Sequence, residues 1–121
     1  MIGDMFNNNK RREVCTREGQ RMYMGKKYAR EESTGYYVCT SGKRRRLHVV
    51  MYEQEILKPR GIAEIPSGMV VHHKDFNKNN NTIGNLCCIF NWEHEKIHNH
   101  KKGEKVGKIL DFFTGEVVYC D

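Results

Sequence analysis

No two cysteines in this chain are spaced C-x-x-C, and the five present (Cys15, Cys39, Cys87, Cys88 and Cys120) are an odd number. That argues against both a disulfide framework and a thiolate zinc site. Reduced thiols are expected instead, several of them buried as small apolar side chains. Long apolar runs are missing too: the longest extend over only a few residues, too short to cross a bilayer. The opening Met1-Ile2-Gly3-Asp4 lacks the basic-then-apolar plan of a secretory signal, so the cytoplasm is the expected compartment and a membrane is not an expected partner. Acidic side chains are scarce in one part of the chain. Between Lys10 and Arg60, 14 Lys or Arg stand against 6 Glu, whereas Gly61 to Asp121 holds 7 Lys against 8 Asp or Glu. The formal net charge of +6 is therefore clumped, which favours a nucleic-acid partner gripped mainly by the first half.

What is present fits one small domain. At 121 residues with 38% apolar and 10% aromatic composition, the chain can bury a modest core. Met1 to Asn9 reads as a loose arm, and Lys10 to Glu32 shows neither helical nor strand periodicity. Residues 1–35 are thus expected as a basic N-terminal arm or extension, and 36–121 as the folded domain. Tyr36 to Thr40 has strand composition, Ser41-Gly42-Lys43 is turn chemistry, and Arg44 to Val49 can return as a second strand. The four basic residues Lys43, Arg44, Arg45 and Arg46 beside Tyr36 and Tyr37 offer phosphate contacts plus rings that could pack on sugar or base. A charged edge strand that guards against aggregation is the plainer use of the same residues. His48, between Leu47 and Val49, is expected as a packed histidine. A short helix is predicted over Val50 to Lys58, stopped by Pro59-Arg60-Gly61.

The densest chemistry follows. Met69-Val70-Val71 enters a strand that ends in His72-His73, and a loop rich in Asn comes next, which side chain to backbone hydrogen bonds can order. Leu86 to Phe90 reads as a second strand. Asn91 is the expected N-cap of a helix running through His94 and His98 to Gly103. Residues four apart share a helix face, so His94 and His98 point the same way. Consecutive strand residues point to opposite faces, so His72 and His73 can both serve one site only if the strand ends or twists there. One of them could then join His94 and His98 around a metal ion while the other stands by as a base. Three imidazoles leave coordination positions open, as a catalytic site requires. A C-terminal hairpin over Lys108–Phe112 and Glu116–Tyr119 is expected to seal the core. The fold class is α+β: a β-hairpin plus helix with additional short hairpins.

The run Val71-His72-His73-Lys74-Asp75, Asn80, Asn85-Leu86, His94 and His98 resembles the HNH nuclease family, whose ββα-metal motif clamps one divalent cation. The wider pattern, Arg46-Leu47-His48, Ile65-Pro66-Ser67-Gly68 and Val71-His72-His73, looks most like phage and homing members. The core motif would span 69–100. The resemblance implies that His73 is the general base, that His72, His94 and His98 ligate the metal, and that Asn85 pins the loop so that His73 is oriented. Asp75 and Asn80 would be structural residues of that loop. It further implies hydrolysis of DNA phosphodiesters to 5′-phosphate and 3′-hydroxyl ends, with no small-molecule cofactor beyond the ion.

Two departures bear on the metal. Homing members usually carry Asn at the His94 position, whereas this chain has His there and adds His98, as colicin-type nucleases do. Imidazole-only ligation favours Zn²⁺, Ni²⁺ or Mn²⁺ over Mg²⁺. The four-cysteine zinc clamp of many members is absent, and no segment reads as a base-specific recognition helix, so weak sequence specificity is expected. A DNA-binding protein that keeps fold and metal without turnover is the main alternative, and intact His73 argues against it. A zinc-binding module with a protein partner is a third.

Overall fold

The computed structural model describes residues 14–17 and 20–121; the arm expected over Met1 to Asn9 lies outside them. Described residues up to His48 form one compact unit and Val49–Asp121 a second.

The first unit is an antiparallel meander of β1 (Val14–Arg17), β2 (Gln20–Tyr23), β3 (Lys26–Arg30) and β4 (Tyr37–Cys39). Residues 20–30 carry no dominant alternation, yet they pair as a tight hairpin because Met24 and Gly25 both adopt positive φ, 49° and 80°. Such a two-residue turn matches the right-handed twist of its strands and sets their register. Tyr23 and Tyr28, one on each strand, are buried.

The hairpin predicted over Tyr36 to Val49 forms only in part. β4 pairs with β3 instead, from Tyr28 opposite Cys39 to Arg30 opposite Tyr37. The return is reduced to a single bridge between Val38 and Arg46, with the Cys39 N–H donating to the Arg45 carbonyl at 2.9 Å. Helix α1 (Leu47–Tyr52) then begins three residues before the predicted Val50. Leu47 and Met51 stand one helical turn apart and are both buried, so an apolar helix face outweighs the strand-like composition of 44–49. His48 is buried as expected and stacks on Tyr36, ring centres 4.9 Å apart. The helix runs on through a π-type stretch (Glu53–Leu57) and a 3-10 turn (Lys58–Arg60). It stops where Gly61 takes a left-handed φ of 78°.

The second unit carries the expected ββα order. β5 (Met69–His73) pairs antiparallel with β6 (Leu86–Phe90), from Met69 opposite Phe90 to His73 opposite Leu86. Helix α2 (Asn91–Asn99) follows without a linker. Glu93 Oε1 accepts the Phe90 N–H at 3.0 Å, so Phe90 occupies the cap position and Asn91, expected there, is the first helical residue. The helix ends at Asn99, short of Gly103. His100, expected as a solvated residue near the helix end, is half-buried against the Ile97 carbonyl (2.9 Å) and the Tyr119 hydroxyl (3.4 Å).

β7 (Ile109–Leu110) and β8 (Val117–Tyr119) form the C-terminal hairpin. Ile109 packs with Cys87, Ile89, Ile97 and Val106 in the core of this unit, with Val118 and Tyr119 against it. Cys39, Cys87 and Cys88 are buried free thiols, and burial pushes Cys87 and Cys88 up to about 12. Among the described residues no helix is long and apolar enough to cross a membrane.

Candidate functional site

β5 ends at His73, and the next twelve residues, up to β6, form a loop stitched by its own side chains. Asp75 Oδ1 accepts the Asn77 N–H at 2.8 Å, and Asp75 Oδ2 accepts Asn80 Nδ2 at 2.8 Å. Asn85 closes the loop from its far end. Its Nδ2 donates to Asp75 Oδ1 and to the Asn80 carbonyl, both at 2.9 Å, while its Oδ1 accepts the Asp75 N–H at 3.1 Å. The Asn80 amide, the Asn77 N–H and the Asn85 amide hold the Asp75 carboxyl below its usual range. Asp75, Asn80 and Asn85, singled out from the sequence, thus form one network. It fixes the path of the chain leaving His73.

The two adjacent histidines part company. His73 Nε2 lies 2.8 Å from Asn81 Oδ1, and Asn81 Nδ2 is committed to the Lys78 carbonyl at 3.1 Å. The amide oxygen is therefore what faces the ring, so neutral His73 carries its proton on Nε2 and its lone pair on Nδ1. Burial lowers the His73 pKa below 6.5, partly offset by Asn81 and Asp75. The ring is neutral at neutral pH. Asn81 is a partner that the sequence does not single out, because it is one of three consecutive asparagines (Asn79, Asn80 and Asn81) with nothing local to rank them.

His72 lies with α2. Its ring centre is 5.2 Å from that of His94 and 5.3 Å from that of His98, and those two are 4.5 Å apart. One nitrogen from each of the three falls within 4.8 Å of the others. Burial lowers all three pKa values, with mutual repulsion adding for His72 and His94, and brings His72 down to about 3. For His98 the second cause is the Lys78 charge. Neutral imidazoles offer lone pairs, and nitrogens bound to one tetrahedral ion at about 2.1 Å stand about 3.4 Å apart. The donor set therefore fits a divalent cation of borderline softness. Phe76 packs against this group, its ring centre 5.2 Å from His72 and 4.8 Å from His98.

A family model described as HNH endonuclease matches residues 45–96. Over that segment the chain is similar to the HNH endonuclease family. The match takes in β5, β6 and most of α2, and so His72, His73, Asn85 and His94; His98 lies just beyond it. An endonuclease has a nucleic acid as its substrate, and HNH domains bind a divalent metal. No curated protein and no solved structure matches the chain.

The basic run belongs to the first unit, the histidines to the second. Arg44 pairs with Glu31 at 3.4 Å, and the Arg46 guanidinium lies 4.4 Å from the Tyr36 ring centre. Tyr36 thus already engages Arg46 and His48, and Tyr37 is buried under Arg21. The rings expected to pack on sugar or base beside Lys43–Arg46 are taken up within the protein.

Two further residues are illegible in the sequence. Buried Asp111 accepts the Tyr52 hydroxyl (2.8 Å), the Cys88 N–H (2.9 Å) and the N–H groups of Phe113 and Thr114 (2.7 and 2.9 Å). Buried Glu53 accepts the Ile65 N–H at 3.0 Å. Asp111 joins α1, β6 and the C-terminal hairpin; Glu53 anchors the approach to β5.

Proposed function

We propose that this protein is a metal-dependent endonuclease that hydrolyses DNA phosphodiester bonds, with His73 as the general base. One observation carries the reading: three neutral imidazoles converge beside a fourth whose tautomer Asn81 sets. His72, His94 and His98 would hold the cation, with Zn²⁺, Ni²⁺ or Mn²⁺ better suited than Mg²⁺. When bound, the ion supplies Lewis-acid stabilisation of charge on the phosphate and the departing oxygen.

The chain's own part is to prepare the base. His73 Nδ1 takes a proton from water, and the water oxygen attacks phosphorus in line. The P–O3′ bond breaks and the departing 3′-oxygen takes a proton from solvent, leaving a 5′-phosphate on one fragment and a 3′-hydroxyl on the other. Asn81 steadies the imidazolium that forms, since its amide oxygen accepts the Nε2 proton throughout. Asn85 holds the Asp75–Asn80 loop, and so the backbone that orients His73. Lys43, Arg44, Arg45 and Arg46 attract the phosphate backbone; their side chains carry charge and no sequence information.

Supercoiled plasmid incubated with wild type and His73→Ala under a series of divalent metals tests the reading. Wild type should nick or linearise the plasmid and stop in EDTA. His73→Ala should lose at least roughly 100-fold in rate, on the order of what a general base contributes, while metal and DNA binding persist. Equal cleavage by the variant removes His73 from the mechanism. A wild type that binds DNA yet cleaves it under none of the metals supplied would instead leave a binding protein built on the same fold.

A further inference from the structure

Phe76 is not a core residue. It is half exposed, at 50%, and its φ is +65°, a left-handed backbone that a side chain beyond Cβ makes unfavourable. A bulky residue in that region is an outlier, and such outliers gather at functional sites. The conformation is imposed by neighbours: the Phe76 N–H donates to the His73 carbonyl at 2.9 Å, and flanking Asp75 and Asn77 cap the turn with their own side chains. Glycine would satisfy every one of those bonds without strain. What phenylalanine adds is a ring.

That ring stands edge-on to His72 and tilted at 40° against His98. It is therefore fixed at the rim of the three-histidine cluster, with about half its area open to solvent. A water-facing aromatic surface held rigidly beside a phosphodiester site has the form of a stacking platform, since every nucleobase presents a π-face and binding this way is tolerant of sequence. Lys78, two residues on, directs positive charge at both His73 and His98, so the same loop brings a phosphate-attracting group. We propose that Phe76 is a nucleotide-binding residue on whose exposed face a base adjoining the scissile phosphate stacks. This deepens the nuclease reading and rests on it. It implies that an unstacked nucleotide, in a single strand or at a mismatch, is bound more tightly at this site than one held in a regular duplex.

The test uses the full chain and the variants Phe76→Leu, Phe76→Tyr and Phe76→Gly. Binding of a fluorescent single-stranded oligonucleotide is measured by anisotropy in EDTA, where no turnover occurs. Co²⁺ affinity is followed separately by absorbance. Phe76→Leu keeps an apolar side chain over the histidines but removes the π-face; it should weaken oligonucleotide binding by roughly 5- to 100-fold. Phe76→Tyr should restore it, and Co²⁺ affinity should stay within about twofold of wild type for both. Phe76→Gly should unfold no earlier in urea than wild type, which separates lost binding from lost folding. If Phe76→Leu binds the oligonucleotide as wild type does, or if Co²⁺ affinity falls in step with it, the ring is an apolar cover for the histidines and the proposal is overturned. A wild type that fails to bind the oligonucleotide overturns it as well. A protein that never cleaves but loses binding on Phe76→Leu would sink the nuclease reading and leave the platform standing.

Discussion

The His73–Asn81 pair shows what one hydrogen bond decides. The proposed mechanism needs the lone pair on Nδ1, and the Asn81 oxygen assigns the proton to Nε2. Asn81→Ala should therefore lower the plasmid nicking rate by about 10-fold or more, a fraction of the full general-base contribution. Co²⁺ absorbance should be unchanged, because the Asn81 side chain bonds to His73 and Lys78 rather than to the three-histidine cluster. The cluster itself is a source of pH dependence in the metal-free protein. His72 falls from 6.5 to about 3 on folding. A depressed histidine pKa contributes stability that is present above the unfolded value and lost as pH falls through the folded one. In EDTA, urea stability should thus decline from about pH 6.5 towards pH 3, at up to about 1.4 kcal/mol per pH unit from His72 alone. A metal-free protein equally stable at about pH 7 and about pH 4.5 would contradict the burial of that ring.

At the scale of elements, the site depends on how β6 is held between α2 and the C-terminal hairpin. Glu93 begins α2 directly after β6, which carries His94 and His98 back to the end of β5. Asp111 holds the other side, accepting from the Cys88 backbone and from Tyr52. Burial and this bond together raise the Tyr52 pKa well above 10, so its hydroxyl keeps its proton and donates. Asp111→Ala strands several donors at once. It should cost roughly 2–4 kcal/mol in urea unfolding, in line with orphaned buried hydrogen-bonding groups. The turn N–H groups of Phe113 and Thr114 are left without their acceptor in the same variant, and amide exchange in the C-terminal hairpin should quicken first.

On the scale of the whole molecule, charge is divided between two units. Residues 1–60 carry a net +7, with 14 Lys or Arg against 7 Asp or Glu, while the histidine cluster lies in a segment that is close to neutral. Affinity and chemistry should therefore separate under mutation. Replacing Arg44, Arg45 and Arg46 together by Ala should weaken DNA binding by roughly 10-fold or more. It should also flatten the dependence of log Kd on log salt by up to about 0.9 for each phosphate that is no longer neutralised. The cleavage rate at saturating DNA should change little. A triple variant with unaltered salt slope would show that the run serves another purpose, such as guarding the sheet edge beside β4.

How legible all this is depends on the distance over which each feature is decided. The sequence by itself determined the donor types, the shared face of His94 and His98, the ability of an Asp- and Asn-rich loop to cap itself, and the ββα order, because helix period, strand alternation and Asx turns act over a few residues. Local periodicity left open which of His72 and His73 joins α2, and the tertiary structure brings His72 there. Alternation says that the two differ, and strand pairing with β6 together with the break after His73 says how. Tertiary structure also chose Asn81 from its neighbours, buried Asp111 beneath Tyr52, turned Leu47 into a helix and made strands of residues 20–30. In each case the deciding partner is remote in sequence, or the turn prevails over periodicity, and desolvation depends on what the rest of the chain places overhead.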